Sequence, residues 1–473
     1  MLIILLVFST FSANATSVNE LKNQLSSKYM ILVNRDFRVS SDYVPADLVT
    51  YPGSSYRLER KCSESLKKMI DACAANGGER LVLYSGYRSY QTQYNKYYGK
   101  INQYIASGYS KAQATTMTDQ YYAPPGGSEH HTGLAADICT PSVVNKHGQL
   151  HSSFGTTAEG KWLRNNCYKY GFILRYDSGK EGITGYNYEP WHFRYVGTEH
   201  ATKIFKSKLT YEEYITDLKK TASDLSTAPA FTVNSGKITL SAAKGTQIRY
   251  TDNNTVPKAD SKVYAGPLSG KDVTYKAIVC KNGYTSAVST ITVTEYGDVF
   301  CDISTKDWFY QNVSVAVHQG VFNGLGNYEF APNDTMTRAM MVQVLANISG
   351  TDLKKYDGKT KYTDVRPSKW YAPAIDWASE NGIVQGMGDG IFAPEASITR
   401  EQACVIFYNH SGKSGTEPLP FTDSSAISSW AQKGVAFCAE KKIVNGYPDG
   451  TFRPSAGATR AEMAKMTLIY TTV

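Results

Sequence analysis

Two short stretches hold the residues best suited to chemistry. Ser128-Glu129-His130-His131-Thr132-Gly133-Leu134-Ala135-Ala136-Asp137 sets two imidazoles and a carboxylate close together, just after a loop of Pro124, Pro125, Gly126 and Gly127. Far downstream, Glu189-Pro190-Trp191-His192 adds one more carboxylate and one more imidazole. His130, Asp137 and His192 are a sufficient set of three protein ligands for a hydrolytic zinc, with the fourth position open to water. Glu189 is then free to act as a base. Such a centre keeps a net positive charge and brings a bound water to a pKa of roughly 7. Glu189 can take that proton and hand it to a leaving amine. Pro190 keeps Glu189 and His192 out of a regular helix interior, unlike the helical HExxH site. Arg88, presented by the turn Ser85-Gly86-Tyr87, is a candidate for stabilising the oxyanion or gripping a substrate carboxylate. Spacing alone favours a surface or structural salt bridge for Arg88. A single His or Asp is usually structural; three His and two acids in two short segments that each follow a glycine-rich turn leave a metal site and a structural role evenly balanced.

Alternating elements must hold these residues. Ser63 to Asn76 carries Leu66, Met69, Ile70 and Ala74 at helical spacing and ends at Gly77-Gly78. Leu81–Tyr87 reads as a strand entering the Arg88 turn. A polar helix around Gln91–Tyr98 and a second over 101–120 follow. Ala135–Ile138 reads as a short buried strand, Thr157–Tyr170 as a helix and Phe172–Tyr176 as a strand. Gly179 to Gly185 reads as a glycine-bearing hairpin leading to Glu189. Residues 201–225 read as helical and charged. Together, 16–222 form one α+β domain. Residues 223–229 read as a linker, and 230–296 as a small all-β sandwich of short β-branched segments between turns.

From 297 the chain repeats itself. Asp302, Asp364 and Asp423 precede Trp308, Trp370 and Trp430; Gly324, Gly386 and Gly446 follow, then Arg338, Arg400 and Arg460, each after a Thr. Each copy reads as a helix, a glycine-rich loop, Phe-x-Pro, and a helix capped by Thr337, Thr399 or Thr459. The units run 297–350, 361–411 and 420–473, and are mainly helical.

Composition bounds the remaining possibilities. A chain of 473 residues holds several domains. The formal charge of +8 favours anionic partners, and no basic run with interleaved aromatics points to nucleic acid. Leu2–Phe8 is too short to span a bilayer, and Ala13-Asn14-Ala15 offers the small residues a signal peptidase reads, so 1–15 reads as a signal peptide. No transmembrane segment is expected in the mature chain. None of the eight cysteines form a CxxC, which argues against a thiolate zinc site.

Ser85-Gly86-Tyr87-Arg88-Ser89, the Ser128–Ile138 stretch and Thr184-Gly185-Tyr186 through Tyr195 closely resemble the VanY-type D-alanyl-D-alanine carboxypeptidases, over about residues 25–215. The resemblance implies one zinc on His130, Asp137 and His192, with Glu189 as catalytic base and Arg88 stabilising the transition state. It also implies a substrate, the D-Ala-D-Ala end of a peptidoglycan stem peptide, with Ser128, Tyr87 and Trp191 as candidate contacts. His131 departs from relatives that carry Gln or Asn; it is either a substrate contact or simply tolerated. Residues 228–294 resemble chitobiase C-terminal-like, fibronectin-type modules through Ile248-Arg249-Tyr250-Thr251-Asp252, Pro257 and Tyr264-x-Gly266-Pro267, and are expected to act as a spacer. The three repeats resemble S-layer homology domains. That implies non-covalent binding to an anionic secondary wall polymer, with Arg338, Arg400 and Arg460 as anion contacts and Asp302, Asp364, Asp423, Trp308, Trp370 and Trp430 lining the grooves. The expected protein is secreted, held at a bacterial cell wall or S-layer, and trims stem peptides. The rivals are an endopeptidase or L,D-carboxypeptidase on the same zinc, and a non-catalytic wall-binding protein.

Overall fold

The computed structural model describes residues 15–234, 237–356, 361–412 and 418–473. The expected signal peptide, except for Ala15, lies outside them. The chain divides into two compact units, one over 16–226 and one containing 227–473.

The first unit is built on a four-stranded antiparallel sheet in the order Val82–Ser85, Ala135–Cys139, His192–Tyr195, Phe172–Leu174. Alternation along a strand divides its faces. In Ala135–Cys139, Ala136 and Ile138 turn into the core, where Leu83 and Phe193 join them beneath the helix Arg60–Ala75. That helix contributes Leu66, Met69, Ile70 and Cys73, all buried. Asp137 points to the other face. Register then aligns Ser85 with Asp137 and Asp137 with His192 across three neighbouring strands. The sheet itself therefore lays out the row on which the site stands.

Two local readings are corrected. The helix after Arg88 runs unbroken from Tyr90 to Ala106, and a second spans only Lys111–Asp119. Gly108, at a left-handed φ of 93°, ends the first and Ser110 starts the second with a capping box to Gln113, which sets the break inside 101–120. Between Gly179 and Gly185 the chain makes a helical turn, Glu181–Thr184, closed by Gly185 in the left-handed region. The charged stretch after 197 is two helices, Thr198–Ser207 and Tyr211–Asp224; the second runs two residues into the expected linker.

In the second unit, Ala230–Asn234 pairs with Lys237–Ser241. The long strand Val273–Lys281 lies between Gln247–Thr251 and Ser289–Val293. Val299–Phe300 extends this sheet into the first repeat. The module is sheet-rich around Ile238, Tyr275, Ile291 and Val293.

The repeats share one core and close into a ring. Thr337, Thr399 and Thr459 cap the helices Arg338–Ser349, Arg400–Ser411 and Arg460–Tyr470. Arg338 Nε donates to the Phe392 carbonyl of the second repeat at 3.0 Å. Arg400 Nε reaches Phe452 of the third at 2.8 Å, and Arg460 Nε returns to Phe330 of the first at 2.7 Å. The same phenylalanines are held from their other side. Asp302, Asp364 and Asp423 accept from the amides of Phe330, Phe392 and Phe452 at 2.9, 2.9 and 2.7 Å. The next residues, Ala331, Ala393 and Arg453, have φ of 55°, 58° and 58°, a costly conformation for side chains with a Cβ. The Asp carboxylates bond these amides too, which offsets that strain.

Candidate metal centre and active site

The turn after Val82–Ser85 and the turn before Ala135–Cys139 face each other. Gly86 sits where a Cβ would lie 2.5 Å from the Arg57 carbonyl, so only glycine brings the chain this close. Its carbonyl accepts from His130 Nδ1 at 2.7 Å. That bond fixes the proton on Nδ1 and turns Nε2 of His130 toward Asp137 Oδ2, 3.1 Å away. On the other side, His192 Nδ1 lies 3.0 Å from Asp137 Oδ1. Ligand atoms of the three residues all fall within 4.8 Å of one another, and all three side chains are buried.

This arrangement fits a tetrahedral metal. With bonds of about 2 Å, ligand atoms of a tetrahedral zinc stand roughly 3.3 Å apart. Asp137 Oδ1 and His192 Nε2 are buried and, among the described residues, make no hydrogen bond of good geometry. The charges agree. Burial lowers His130 to about 4, against the pull of Asp137, so it is neutral and ready to ligate. His192 behaves oppositely: burial disfavours its charge, yet the adjoining carboxylates of Asp137 and Glu129 lift it to about 9. Asp137 is held well below its usual range by His130 and His192 in spite of burial.

Glu189 Oε2 lies 3.7 Å from His192 Nδ1. Burial, with the nearby Asp137 charge, pushes it up to about 8, against His192 and Arg88. Arg88 Nη1 donates to Gln93 Oε1 at 2.6 Å and Nη2 to Ser85 Oγ at 2.9 Å. Its amide donates to the His130 carbonyl at 3.0 Å, which ties the two catalytic turns together. Burial lowers the Arg88 pKa, while Asp137 and Glu189 favour its charge.

His131 does not face a substrate. It is 1 % exposed, with both ring nitrogens engaged: Nδ1 lies 2.7 Å from the Arg88 carbonyl, and Nε2 accepts from the Gly126 amide at 3.1 Å. It braces Arg88 against the Pro/Gly loop. Ser128 is also buried, its carbonyl accepting from the His131 amide. Tyr87 lies beneath the Arg57 guanidinium, and Trp191 packs against the core.

Sequence reasoning missed Glu129. Its side chain is fully enclosed and takes Arg175 Nε at 2.8 Å and Arg194 Nη1 at 2.9 Å. Those guanidiniums hold it far below its usual pKa, although burial opposes its charge. Its second oxygen faces His192 Nε2 at 3.6 Å. A carboxylate behind a ligating imidazole fixes which nitrogen meets the metal. Arg175 also pairs with Glu212, so the helix Tyr211–Asp224 supports the centre. The only signal was the acid beside His130; both partners lie far downstream.

Among the repeats, Arg338, Arg400 and Arg460 are 6, 5 and 4 % exposed, and each donates to a neighbouring repeat's carbonyl. The three arginines expected as anion contacts therefore also join one repeat to the next. Asp302, Asp364 and Asp423 bond backbone amides, while Trp308, Trp370 and Trp430 are 62, 57 and 57 % exposed. The interface below Arg400 holds Glu462 at 3.4 Å, where the one below Arg460 has Met340.

Comparison with known proteins gives the class first: a carboxypeptidase domain followed by wall-associated modules. Residues 55–198 match the D-alanyl-D-alanine carboxypeptidase family VanY. Residues 228–292 match the chitobiase/β-hexosaminidase C-terminal domain, and 299–340, 361–404 and 420–464 match S-layer homology domains. The putative carboxypeptidase YodJ of Bacillus subtilis is 39 % identical over 231 residues, covering 45 % of this chain and 78 % of that one. A D-alanyl-D-alanine carboxypeptidase of Enterococcus faecalis is 37 % identical over 187 residues, covering 39 % of this chain and 65 % of that one. The chain thus spans just under two thirds of that second relative. A solved VanY D,D-pentapeptidase variant in complex with Zn(II) is 37 % identical, with a TM-score of 0.35, covering 40 % of this chain and 99 % of that one. The chain belongs to the VanY-type D-alanyl-D-alanine carboxypeptidase family.

Proposed function

We propose that the protein is a zinc carboxypeptidase that removes the terminal D-Ala from D-Ala-D-Ala-ended peptidoglycan stem peptides while attached to the cell wall through its repeats. The observation that carries this reading is the convergence of His130, Asp137 and His192 with Glu189 and Arg88, in a chain of this family. Zinc on the three ligands supplies a Lewis acid that activates water and polarises the scissile carbonyl. Glu189, its basicity raised by enclosure, takes the proton of the attacking water and delivers it to the leaving amine. Arg88 presents its guanidinium to the charge developing on the carbonyl oxygen. Gln93 and Ser85 hold that guanidinium in place. The small β module serves as a spacer, and the exposed Trp308, Trp370 and Trp430 are the polymer contacts of the repeats.

Product analysis on a defined pentapeptide tests the reading. D-Ala release is expected, lost with a chelator and restored by zinc. Glu189→Gln is expected to slow it by about 10²–10⁴-fold with zinc still bound. Cleavage at an internal or L,D-bond would replace the specificity; undiminished activity in Glu189→Gln would remove the assigned base.

A further inference from the structure

The helix Tyr90–Ala106 has two faces with different tasks. Its inner face is packed: Tyr97 and Ile101 form a small core with Ala114 of the helix Lys111–Asp119, and Gln93 holds the Arg88 guanidinium. Its outer face carries Tyr94, Tyr98, Asn102 and Ile105, spaced by four, four and three residues, so they line one side of the helix. Tyr94, Tyr98 and Ile105 are 44, 41 and 40 % exposed, a large apolar surface to leave to water. The rings of Tyr94 and Tyr98 pack on each other with centroids 4.5 Å apart. Tyr97 meets Tyr98 edge-on at 5.2 Å, and its own hydroxyl is tied to Asp119 at 2.8 Å. The outer rings are therefore held in place rather than free to turn.

The chemistry beside these rings narrows what they can meet. Gln91, Asn95, Asn102 and Gln103 are exposed around them, and each amide both donates and accepts. Lys96 and Lys100 are the only charged side chains of the helix, and no acid occurs between Arg88 and Asp119. A basic partner finds nothing to pair with. Helices that lie on a lipid surface carry Trp, Phe or Leu on their apolar side; here rings bearing hydroxyls, flanked by amides, stand instead. Such a surface matches an N-acetylated sugar, whose C–H face lies on a ring while its hydroxyl and acetamido groups meet amides.

The position agrees with the substrate's length. When a stem pentapeptide loses its last residue, four residues separate the scissile bond from the sugar, about 13 Å of extended chain. The exposed side begins at Tyr94, beside the Gln93 that touches Arg88, and runs about 18 Å along the helix to Ile105. We infer that the outer face of the helix Tyr90–Ala106 is a glycan platform, on which the sugar chain carrying the stem peptide lies against Tyr94 and Tyr98 while the peptide enters the active site. The inference rests on the peptidase reading above.

The test uses the full, zinc-loaded chain and a soluble tetramer of N-acetylglucosamine, which carries neither peptide nor wall polymer. Saturation-transfer NMR should show signal on the sugar. The double variant Tyr94→Ala, Tyr98→Ala should lose it, and Tyr94→Phe, Tyr98→Phe, which keeps the rings, should retain most of it. In rates, kcat/KM for a pentapeptide on a soluble glycan strand, divided by that for the free pentapeptide, should be about ten in the native protein and fall toward one in the double alanine variant. The ratio is internal to each protein, so it does not depend on how much of the variant folds. A sugar signal that is absent, or that persists in the double alanine variant, would overturn the inference, as would an equal ratio in both proteins. Binding of anionic vesicles, or a dimer, that the double variant abolishes while no sugar signal is seen would give the face to a lipid or to a second copy. If no peptide loses D-Ala but the sugar signal depends on Tyr94 and Tyr98, the peptidase reading falls and the platform stands. D-Ala release without a sugar signal sinks the platform alone.

Discussion

Glu129→Gln keeps the size of a buried side chain and removes its charge. In the native fold that charge answers two enclosed guanidiniums, Arg175 at 2.8 Å and Arg194 at 2.9 Å. Removing one member of a buried ionic cluster costs about 3–5 kcal/mol. Here both cations keep other partners: Arg175 retains Glu212, and Arg194 retains the carbonyls of Tyr29 and Ile31. The low end, about 3 kcal/mol, is therefore expected in a denaturant melt of the zinc-free protein. A second effect is separate. Glu129 Oε2 stands 3.6 Å behind His192 Nε2 and presets the nitrogen that faces Asp137. Loss of such an outer partner weakens metal binding about 10–100-fold. Competition against a chromophoric chelator, at a denaturant-free temperature where the variant is folded, measures this. A zinc affinity within twofold of the native protein would show that Glu129 does not orient His192. An unchanged melt would show that the ion cluster does not support the site.

Three further outcomes follow from the same geometry. Arg460→Met removes bonds of 2.7 and 2.8 Å to the Phe330 and Asn323 carbonyls, and should lower the stability of the repeats by about 3 kcal/mol in a thermal or denaturant melt. His131→Phe fills the ring's volume but strands the Arg88 carbonyl and the Gly126 amide; kcat should fall more than KM rises, whereas a substrate contact would mainly raise KM. His200 is buried against the Tyr214 hydroxyl at 2.8 Å, and burial lowers it to about 4 from an ordinary 6.5. The unfolded chain takes up this proton first as pH falls. Its contribution is therefore full above pH 6.5 and is lost between 6.5 and about 4, by roughly 3 kcal/mol at most. His200→Gln should flatten the melting temperature over that interval, and an undiminished acid slope would refute the assignment.

What could be read from the sequence was local or periodic. Thr337, Thr399 and Thr459 announce helix starts because a threonine cap needs only the amides three residues ahead. The strand Ala135–Cys139 was legible because its small and apolar residues are buried on both faces. What escaped depends on partners distant in the chain. Glu129 is one unremarkable acid until the fold brings Arg175 and Arg194 to it. That each repeat arginine also reaches into the next copy could not be read from spacing, which says nothing about contacts between copies. The break inside 101–120 did carry a local signal, Gly108, whose left-handed φ of 93° stops one helix just before Ser110 caps the next.

The three arginine clasps run from first repeat to second, second to third, and third back to first. A linear array can be shortened or lengthened by one unit with little disturbance to the rest. A closed cycle cannot: deleting any single copy leaves one guanidinium without its carbonyl and one Phe-x-Pro loop without its clasp. The set is therefore gained or lost as a whole, and gene rearrangements that move this anchor onto another enzyme must carry all three copies together.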